Sequence, residues 1–514
     1  MYMEHKNLKT SIYSLDKVFN DCAEQPIDID FTLPDYCPDI SKILKCKAVP
    51  RISSKSVSGN CVSVEGCATV TVIYCGDDNN ISSYEYLYPF SKKFDVDGDT
   101  VGTIIDAKTK CEYINCRAVS GRKIDIHGAV SVNISVFKRN FSEVISDYDD
   151  CNIELLRESV PATVPIGIAD KYLIIEEEID LGAGQPDVRC VVRYDAEPTI
   201  TDSKIIAGKT VVSGELNIKI LYSPENDDGV QTVRCKLPFS QMLEIDGITE
   251  QCDCESKVSI AHLEIKPRVT QTGECRQLLL SGKLLITSEC CCNNDIDVVI
   301  DAYSKRYEAD IYKKEVCFNK IVENFNQSFS CKKTFEFSED AISSVCDMWC
   351  DVKANSVKFL DNKMLVNGTT TVFIIAQDNN MVHNFYEKTV DFEYAHAFDT
   401  QNDCSYKCSP DITVRNLNYT IIDGGNVELR IELNICAAIY RCSKLPLITD
   451  IKIDDKKTIS RENQSAMTLY FAESGEKIWN IARKYFADAQ EIKQINEINE
   501  DVLSCDKMLL IPTI

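Results

Sequence analysis

The stretch Val62-Ser-Val-Glu-Gly66-Cys-Ala-Thr-Val-Thr-Val72 decides the fold, because apolar residues occupy every second position on both sides of its glycine. A period of two indicates a half-buried β-strand. The pattern recurs at Val211-Val-Ser-Gly214-Glu-Leu-Asn-Ile-Lys-Ile220 and at Met364-Leu-Val-Asn-Gly368-Thr-Thr-Thr-Val-Phe-Ile374. Gly214 lies 148 residues after Gly66, and Gly368 lies 154 residues after Gly214. Self-similarity over so long a period predicts tandem repeats of one domain.

A second glycine-led strand follows within each copy, at Gly128, Gly282 and Gly425. Each of the six glycines is expected to mark a β-bulge or a close approach of two backbones. Short strands joined by Asn, Asp and Gly turns, with no helices between them, exclude a parallel doubly wound sheet. We therefore predict a mainly β fold with three tandem repeats, each an assembly of antiparallel sheets.

Changes in the period of apolar residues predict the domain boundaries. An N-terminal helix of about four turns is predicted from apolar residues that fall on one helical face, namely Leu8, Ile12, Leu15, Val18, Phe19 and Cys22. A polar segment near the C-terminus lacks any period and reads as a linker. The predicted segments are an N-terminal helix and lead-in strand (1–30), three β repeats (31–150, 151–300 and 301–455), a linker (456–466) and a C-terminal module (467–514).

The charge of the chain limits its partners. Its 514 residues include 56 Lys and Arg against 80 Asp and Glu, which gives a net charge of −24 and a pI near 4.7. A surface this acidic repels phosphate backbones and anionic lipids, so we expect neither nucleic acid nor membrane as a partner. No apolar run is long enough to span a bilayer, and Met1–Thr10 lacks the apolar region of a signal peptide. We expect the protein to remain in the cytoplasm.

The residues do not predict catalysis or a bound metal. The chain has 26 cysteines, but none is arranged as Cys-x-x-Cys, and the clusters lack the spacing of a zinc site. In a cytoplasmic protein such cysteines are expected to be reduced thiols that act as small hydrophobes. The five histidines lie in no context that suggests a triad. We expect no enzyme, no cofactor and no metal.

The C-terminal module has the order strand, helix, helix, strand, and its residues resemble those of the LysM domain. The matching positions are Gly475, Glu476, Ile478-Trp479, Ile481-Ala482, Tyr485, Ile492, Asn496, Leu503 and Leu510-Ile511-Pro512. Two positions depart from the usual pattern, Lys477 and Asp506. The resemblance implies a βααβ fold with a groove between the loop before the first helix and the loop after the second. In LysM domains this groove binds N-acetylglucosamine chains.

The segment Leu33-Pro-Asp-Tyr-Cys-Pro-Asp-Ile40-Ser-Lys-Ile43-Leu44 resembles the SPOCS-domain family of clostridial sporulation proteins. The second repeat keeps Pro186-Asp187, whereas the third lacks the Pro-Asp pair. SPOCS repeats followed by a LysM domain resemble the arrangement of clostridial spore coat morphogenetic proteins. That resemblance implies a structural adaptor in the mother-cell cytoplasm, at the forespore surface. It further implies that the LysM domain binds the coat ATPase, stage IV sporulation protein A, with other coat proteins as further candidates.

We predict one partner-binding site, in the C-terminal module. Its residues are Ser474, Gly475, Glu476, Lys477, Ile478, Trp479, Asn496 and Leu503. Trp479 is either an exposed anchor for the partner or part of the module's core, and the sequence leaves both readings open. The alternative function is a peptidoglycan-binding or N-acetylglucosamine-binding LysM protein of the spore or cell envelope, which would use the same residues as a glycan groove.

Overall fold

A computed structural model describes residues 7–96, 102–150, 152–182, 184–225, 229–269, 275–337, 342–400, 404–422, 426–459 and 466–512. The fold is mainly β, as predicted, with two short helices near the C-terminus. Gly425, which leads the sixth predicted strand, lies outside the described residues.

Three sandwiches of antiparallel strands make up most of the molecule. In each one a smaller three-stranded sheet faces a larger sheet built on two long strands, and buried side chains from both sheets form the core. The smaller sheets are β2(Ile40–Ser58)-β3(Cys61–Gly76)-β4(Ile81–Asp95), β8(Val188–Ile206)-β9(Lys209–Pro224)-β10(Gln231–Glu244) and β14(Ile342–Leu360)-β15(Lys363–Asp378)-β16(His383–Ala397).

The larger sheets share one plan, in which the last long strand pairs with the first and with an edge strand. The sheets are β1(Asn7–Thr32)-β6(Lys123–Tyr148)-β5(Ile104–Ala118), β7(Ile153–Asp180)-β12(Gln277–Ser304)-β11(Asp253–Arg268) and β13(Tyr307–Phe335)-β19(Asn426–Thr458), with β17(Ser405–Cys408) and β18(Asp411–Ile422) on the free side of β19. The repeat hypothesis is supported by this common order of strands.

The glycines of the smaller sheets lie where a neighbouring aromatic ring and backbone leave no room for a Cβ atom. Gly66 lies directly opposite Phe90, and a Cβ atom at Gly66 would overlap the Phe90 ring and the carbonyl oxygen of Arg51. Gly214 has the same relation to Phe239, and Gly368 has it to Phe392. In all three sheets the neighbouring strand also has a register shift beside the glycine. The predicted close approach is therefore confirmed at all three positions.

Replacing Gly66 with alanine should destabilise the first repeat. The added methyl group would displace the Phe90 ring or the backbone at Arg51, and such overpacking costs about 1–3 kcal/mol. Urea unfolding of the full chain would measure the loss. A Gly66→Ala/Phe90→Leu double variant, which removes the ring, should recover part of it. A Gly66→Ala protein as stable as the wild type would contradict this packing.

The Pro-Asp signature closes the end of each of the first two sandwiches. Arg122 donates to Asp39 Oδ1 at 2.6 Å and to the carbonyl oxygen of Pro34 at 2.6 Å. In the second repeat Arg276 donates to Asp187 Oδ1 at 3.3 Å and to the carbonyl oxygen of Gln185 at 3.0 Å. The signature is therefore an arginine-clamped turn.

A buried tyrosine supports the same turn from inside each sandwich. Tyr74 donates through its hydroxyl to the carbonyl oxygen of Pro38 at 3.4 Å, and Tyr222 donates to that of Pro186 at 3.1 Å. At the equivalent register position in the third repeat the residue is Ala376. The third repeat thus lacks the tyrosine as well as the Pro-Asp pair.

The three smaller sheets meet in one buried cluster, and each repeat touches both others. Arg189 bonds Asp78 between the first and second repeats, and Lys42 bonds Asn384 between the third and first. The cluster contains Leu44, Ile73, Cys75, Ile81, Val192, Leu221, Trp349, Phe373 and Ile375. The repeats therefore close into a ring with approximate threefold symmetry.

The charged residues at this buried cluster, which we call the hub, differ from one repeat to the next. Lys45, Arg193 and Asp347 occupy equivalent positions, since each follows a register shift on the first strand of its smaller sheet. Their cross-strand partners are, in the same order, Ile73, Leu221 and Ile375. Asp347 Oδ2 accepts from Arg193 Nε at 2.8 Å, and Asp347 also bonds Lys219. A buried ion cluster therefore links the second and third repeats.

The predicted N-terminal helix is wrong. Residues from Asn7 to Thr32 form β1, which pairs with β6 along its whole length. The misleading spacing comes from a register shift between Lys17 and Phe19. Because one extra residue there exchanges the two faces of the strand, Ile12 and Phe19 share a face although they are seven residues apart. Residues 7–32 thus belong to the first sandwich instead of preceding it.

The linker prediction needs a smaller correction. The strand β19 continues to Thr458, so the first three residues of the predicted linker 456–466 are extended strand. Residues 460–465 lie outside the described part of the chain.

Most of the described cysteines are free thiols, as predicted, but four residues form disulfides. Disulfides Cys252–Cys292 and Cys254–Cys290 join β12 to β11 and the loop before it. Twenty-one other cysteines among the described residues are free thiols. Burial raises the pKa of the buried Cys75 thiol to about 11 and that of the half-buried Cys350 thiol to about 12. These thiols hold little reactive thiolate at neutral pH.

Candidate partner-binding site

The C-terminal module has the predicted βααβ order. It consists of β20(Met467–Ala472), α1(Ile478–Tyr485), α2(Ala489–Ile495) and β21(Lys507–Pro512). Asp488 caps α2, with its carboxylate accepting from the backbone N–H groups of Gln490 and Glu491. The core joins both helices to one face of the two-stranded sheet through Ala472, Ile478, Ile481, Ala482, Ile492, Leu509 and Ile511.

Backbone hydrogen bonds hold the two predicted groove loops together. Gly475 N donates to the carbonyl oxygen of Leu503 at 2.7 Å, and Leu503 N donates to that of Glu476 at 2.9 Å. Gly475 has a φ of +92°, a conformation that favours glycine. The Tyr470 hydroxyl donates to Glu476 at 3.1 Å. The loops therefore form one rigid unit with the end of β20.

The eight predicted site residues have different environments. Ile478 and Leu503 are buried in the module's core. The side-chain amide of Asn496 is used within the module, since it donates to the carbonyl oxygens of Ile492 and Leu510 and accepts from Leu510 N at 2.7 Å. The surface residues of the loop are Ser474, Gly475 and Lys477, which are exposed, and Glu476, which is half-buried.

Trp479 contacts the second repeat, an arrangement that neither reading of the sequence anticipated. Its ring packs edge-on against Tyr303 with ring centroids 4.9 Å apart. Its indole Nε1 donates to Asp301 Oδ2 at 2.9 Å, and Arg483 donates to the same oxygen at 2.8 Å. Asp301 and Tyr303 lie near the end of β12, which continues to Ser304, so the second repeat extends slightly beyond its predicted boundary at residue 300. In this structure Trp479 is an anchor within the chain.

Further polar contacts fix the module on the second repeat. The Tyr303 hydroxyl donates to the carbonyl oxygen of Ala487 at 2.6 Å. Lys305 pairs with Asp488 at 3.0 Å and with Glu154 at 2.6 Å. These contacts involve α1 and the turn between the helices, so they leave the β20–β21 sheet uncovered.

The carboxylate of Asp301 is held in its charged form. Burial alone would raise its pKa. Hydrogen bonds from Lys313 and Trp479, together with the charge of Arg483, outweigh burial and lower the pKa of this carboxyl. Asp301 therefore accepts from Trp479 as an anion at neutral pH.

The outer face of the β20–β21 sheet is apolar and exposed. Leu469 lies opposite Leu510, and Phe471 lies opposite Met508. The exposed fraction is 61% for Leu469 and 57% for Phe471. With Met467 these residues form a contiguous patch, which we call the outer sheet face. Exposed apolar patches of this kind mark interaction sites.

Sequence reasoning missed the outer sheet face, although a signal was present. Leu469 and Phe471 alternate with Tyr470 and the buried Ala472, so both faces of β20 carry apolar residues. A two-stranded sheet with helices on one face needs an apolar pattern on that face only. The excess of apolar residues on the other face is the sign of a second contact.

Two family matches decide the domain content. Residues 39–119 and 187–268 match the family described as "SipL, SPOCS domain", and residues 473–512 match the LysM domain. The chain carries SPOCS and LysM domains. Each of the two SPOCS matches begins at the arginine-clamped Pro-Asp turn and ends at the edge strand of the larger sheet. Comparisons with curated proteins and with solved structures each returned no match.

SPOCS and LysM are non-catalytic domain families, and SPOCS domains associate the chain with sporulation. His127 pairs with Asp28 at 2.7 Å, and His396 stacks on Phe325, which fits structural roles. A cleft of about 850 Å³ is lined by residues of the second and third repeats, including Cys291 and Tyr440, and by Ile12 of the first. Among the described residues no group of His, Cys, Asp and Glu could hold a metal ion, and no helix is long and apolar enough to cross a bilayer.

Proposed function

We propose that this protein is a non-enzymatic structural adaptor in spore coat assembly. Its LysM domain binds the basement-layer ATPase of the coat, stage IV sporulation protein A, on the mother-cell cytoplasmic side of the forespore surface. The ring of three repeats serves as a rigid body that carries the LysM domain and offers further surface to other coat proteins. The domain order, SPOCS repeats followed by LysM, supports this assignment.

The observation that carries the proposal is the outer sheet face. Met467, Leu469 and Phe471 present side chains that gain free energy when another protein removes them from water. A polysaccharide offers hydroxyl groups that need hydrogen-bond partners, which these side chains do not supply. An apolar, aromatic-containing surface therefore favours a protein partner.

The predicted loop belongs to this proposal as the polar rim of the interface. Ser474, Glu476 and Lys477 lie in the loop that follows β20, and Glu476 accepts from the Tyr470 hydroxyl of that strand. Charged residues at a rim change the association rate and its salt dependence more than the affinity. In the second candidate function the same loop binds N-acetylglucosamine chains, which the LysM match supports.

Calorimetric titration separates the two candidates. The full chain would be titrated with purified stage IV sporulation protein A, with chitin oligomers and with peptidoglycan fragments. We expect saturable binding of the ATPase and none of the glycans. Saturable glycan binding without affinity for the ATPase would overturn the adaptor assignment in favour of the envelope alternative.

A further inference from the structure

The edge strand of the larger sheet differs in the third repeat. In the first repeat Lys108 lies opposite Asn133, and in the second Lys257 lies opposite Thr287. The equivalent residue of β18 is Asn418. It lies opposite Arg430, which is three positions after the buried Val427 on β19. Lysines on edge strands prevent pairing with other chains, because their charge would have to be desolvated. The third repeat lacks this protection.

The absence of charge extends along the strand. Both β5 and β11 carry charges along most of their length, namely Asp106, Lys108, Lys110, Glu112 and Arg117, and Asp253, Glu255, Lys257, Glu264, Lys266 and Arg268. The last seven residues of β18, Asn416-Leu-Asn-Tyr-Thr-Ile-Ile422, contain no charge, no proline and no glycine. Such a segment on a sheet edge is suited to pairing with a further strand.

The end of β18 is also less covered than its counterparts. All of residues 418–422 are exposed, including Tyr419 at 42% and Ile421 at 37% on the side that faces the core. The equivalent residues of β5 and β11 are half-buried, namely Thr109, Cys111, Val258 and Ile260.

The outer edge of β18 has no strand beside it. Among the described residues β18 pairs only with β19, along one of its two edges. In the described part of the third repeat, no side chain donates to a carbonyl oxygen of Asn416–Ile422. The backbone of β18 is therefore open for strand addition.

We propose that β18 pairs antiparallel with β18 of a second copy of this chain, centred on Tyr419. In this register Leu417 faces Ile421 of the other copy, and Asn418 faces its Thr420. Around Tyr419 apolar residues then meet on one face and polar residues on the other, so the centre of the strand is complementary to itself under twofold symmetry. Only at the two ends of the paired stretch does a polar residue, Asn416, face an apolar one, Ile422. This twofold complementarity favours a second copy over an unrelated peptide as the occupant.

The net charge of the chain opposes this association. Two chains of charge −24 repel each other, whereas the paired strands contribute backbone hydrogen bonds and apolar contacts that salt does not screen. Salt therefore strengthens the dimer by screening the repulsion. The proposal concerns a different surface from the outer sheet face and is independent of the proposed function.

Sedimentation velocity of the full chain over a concentration series tests the pairing. The wild type should form a reversible dimer. Asn418→Lys, which restores the edge lysine, should weaken it by about tenfold or more. Asn418→Lys/Thr420→Glu should restore it, because each lysine then faces a glutamate of the other copy. Asn115→Lys, on the exposed edge of β5, is the matched control and should leave the dimer unchanged.

A wild type that stays monomeric at its highest soluble concentration would overturn the proposal. The free edge of β18 would then be a site for a strand of another protein. A dimer unaffected by Asn418→Lys, or one that the double variant fails to restore, would overturn the pairing centred on Tyr419. Unchanged circular dichroism would establish that each variant is folded.

Discussion

Phe471→Asp is expected to weaken capture of stage IV sporulation protein A by about a hundredfold or more. Removal of an aromatic anchor costs about 2 kcal/mol or more, and a buried unpaired carboxylate adds to that loss. The side chain of Phe471 points away from the core of the LysM domain, so the domain should fold normally. Titration calorimetry with the full chain would measure the affinity, and circular dichroism would check the fold.

Two variants serve as controls for this experiment. Gln494→Asp adds the same charge at an exposed position of α2 and should leave binding unchanged. Trp479→Ala removes the packing against Tyr303 and the bond to Asp301, so it should loosen the LysM domain from the second repeat while binding falls only a few-fold. If Trp479→Ala abolished capture and Phe471→Asp did not, the interface would lie at α1 instead of at the outer sheet face.

Asp347→Ala should destabilise the ring of three repeats by about 3 kcal/mol. The substitution removes the buried carboxylate that pairs with Arg193 and Lys219, and it leaves the buried Arg193 only the half-buried Asp195 as an ionic partner. Burial of Asp347 alone would raise its pKa, but the charges of Arg193 and Lys219 outweigh burial and lower it. A lowered pKa means that this stability is present near neutral pH and is lost as the pH falls through the pKa of the folded state. Trp349, which stacks on Arg193 at 4.1 Å, provides a local fluorescence signal for urea unfolding.

A surface ion pair gives the matched comparison. Lys204 and Asp202 are exposed partners, and Asp202→Ala should change stability by less than about 1 kcal/mol. The double variant Asp347→Ala/Arg193→Met should be more stable than Asp347→Ala, since no unpaired charge stays buried. A loss below about 1 kcal/mol for Asp347→Ala would show that the hub does not depend on this carboxylate.

The mainly β fold could be predicted because its signal is local. The alternation around Gly66, Gly214 and Gly368 needs only a dozen residues to be visible, and the common spacing reveals the repeat. The reason for each glycine, the ring of Phe90 and its counterparts, could also be sought in the sequence, since a Pro-Phe or Asp-Phe pair follows each one.

The N-terminal strand could not be identified in this way, because its period is interrupted. Ile12 and Phe19 lie on the same face only through the register shift beside Val18. Their seven-residue separation is the spacing of two helical turns. Pairing with β6, more than a hundred residues away, decides in favour of a strand. Local periodicity has no access to that partner.

Only part of the candidate site could be predicted, because one of its contacts also involves residues far away in the sequence. The resemblance placed the LysM core and its loops, but the environment of Trp479 depends on Asp301 and Tyr303, which lie almost 180 residues earlier. Burial of a tryptophan against another domain leaves no trace in the pattern of its own helix. The outer sheet face, in contrast, was visible in the residues of β20.

The pairing of Arg193 with Asp347 bears on the origin of the ring. In a homotrimer of identical subunits, one gene position supplies the same side chain three times around the axis, so this position would hold three like charges. A single chain that contains three copies of the domain can place Lys45, Arg193 and Asp347 at one equivalent position. Covalent linkage of the copies thus permits opposite charges where identical subunits would place like charges, and the ion pair of Arg193 with Asp347 distinguishes the contact between the second and third repeats from the other two.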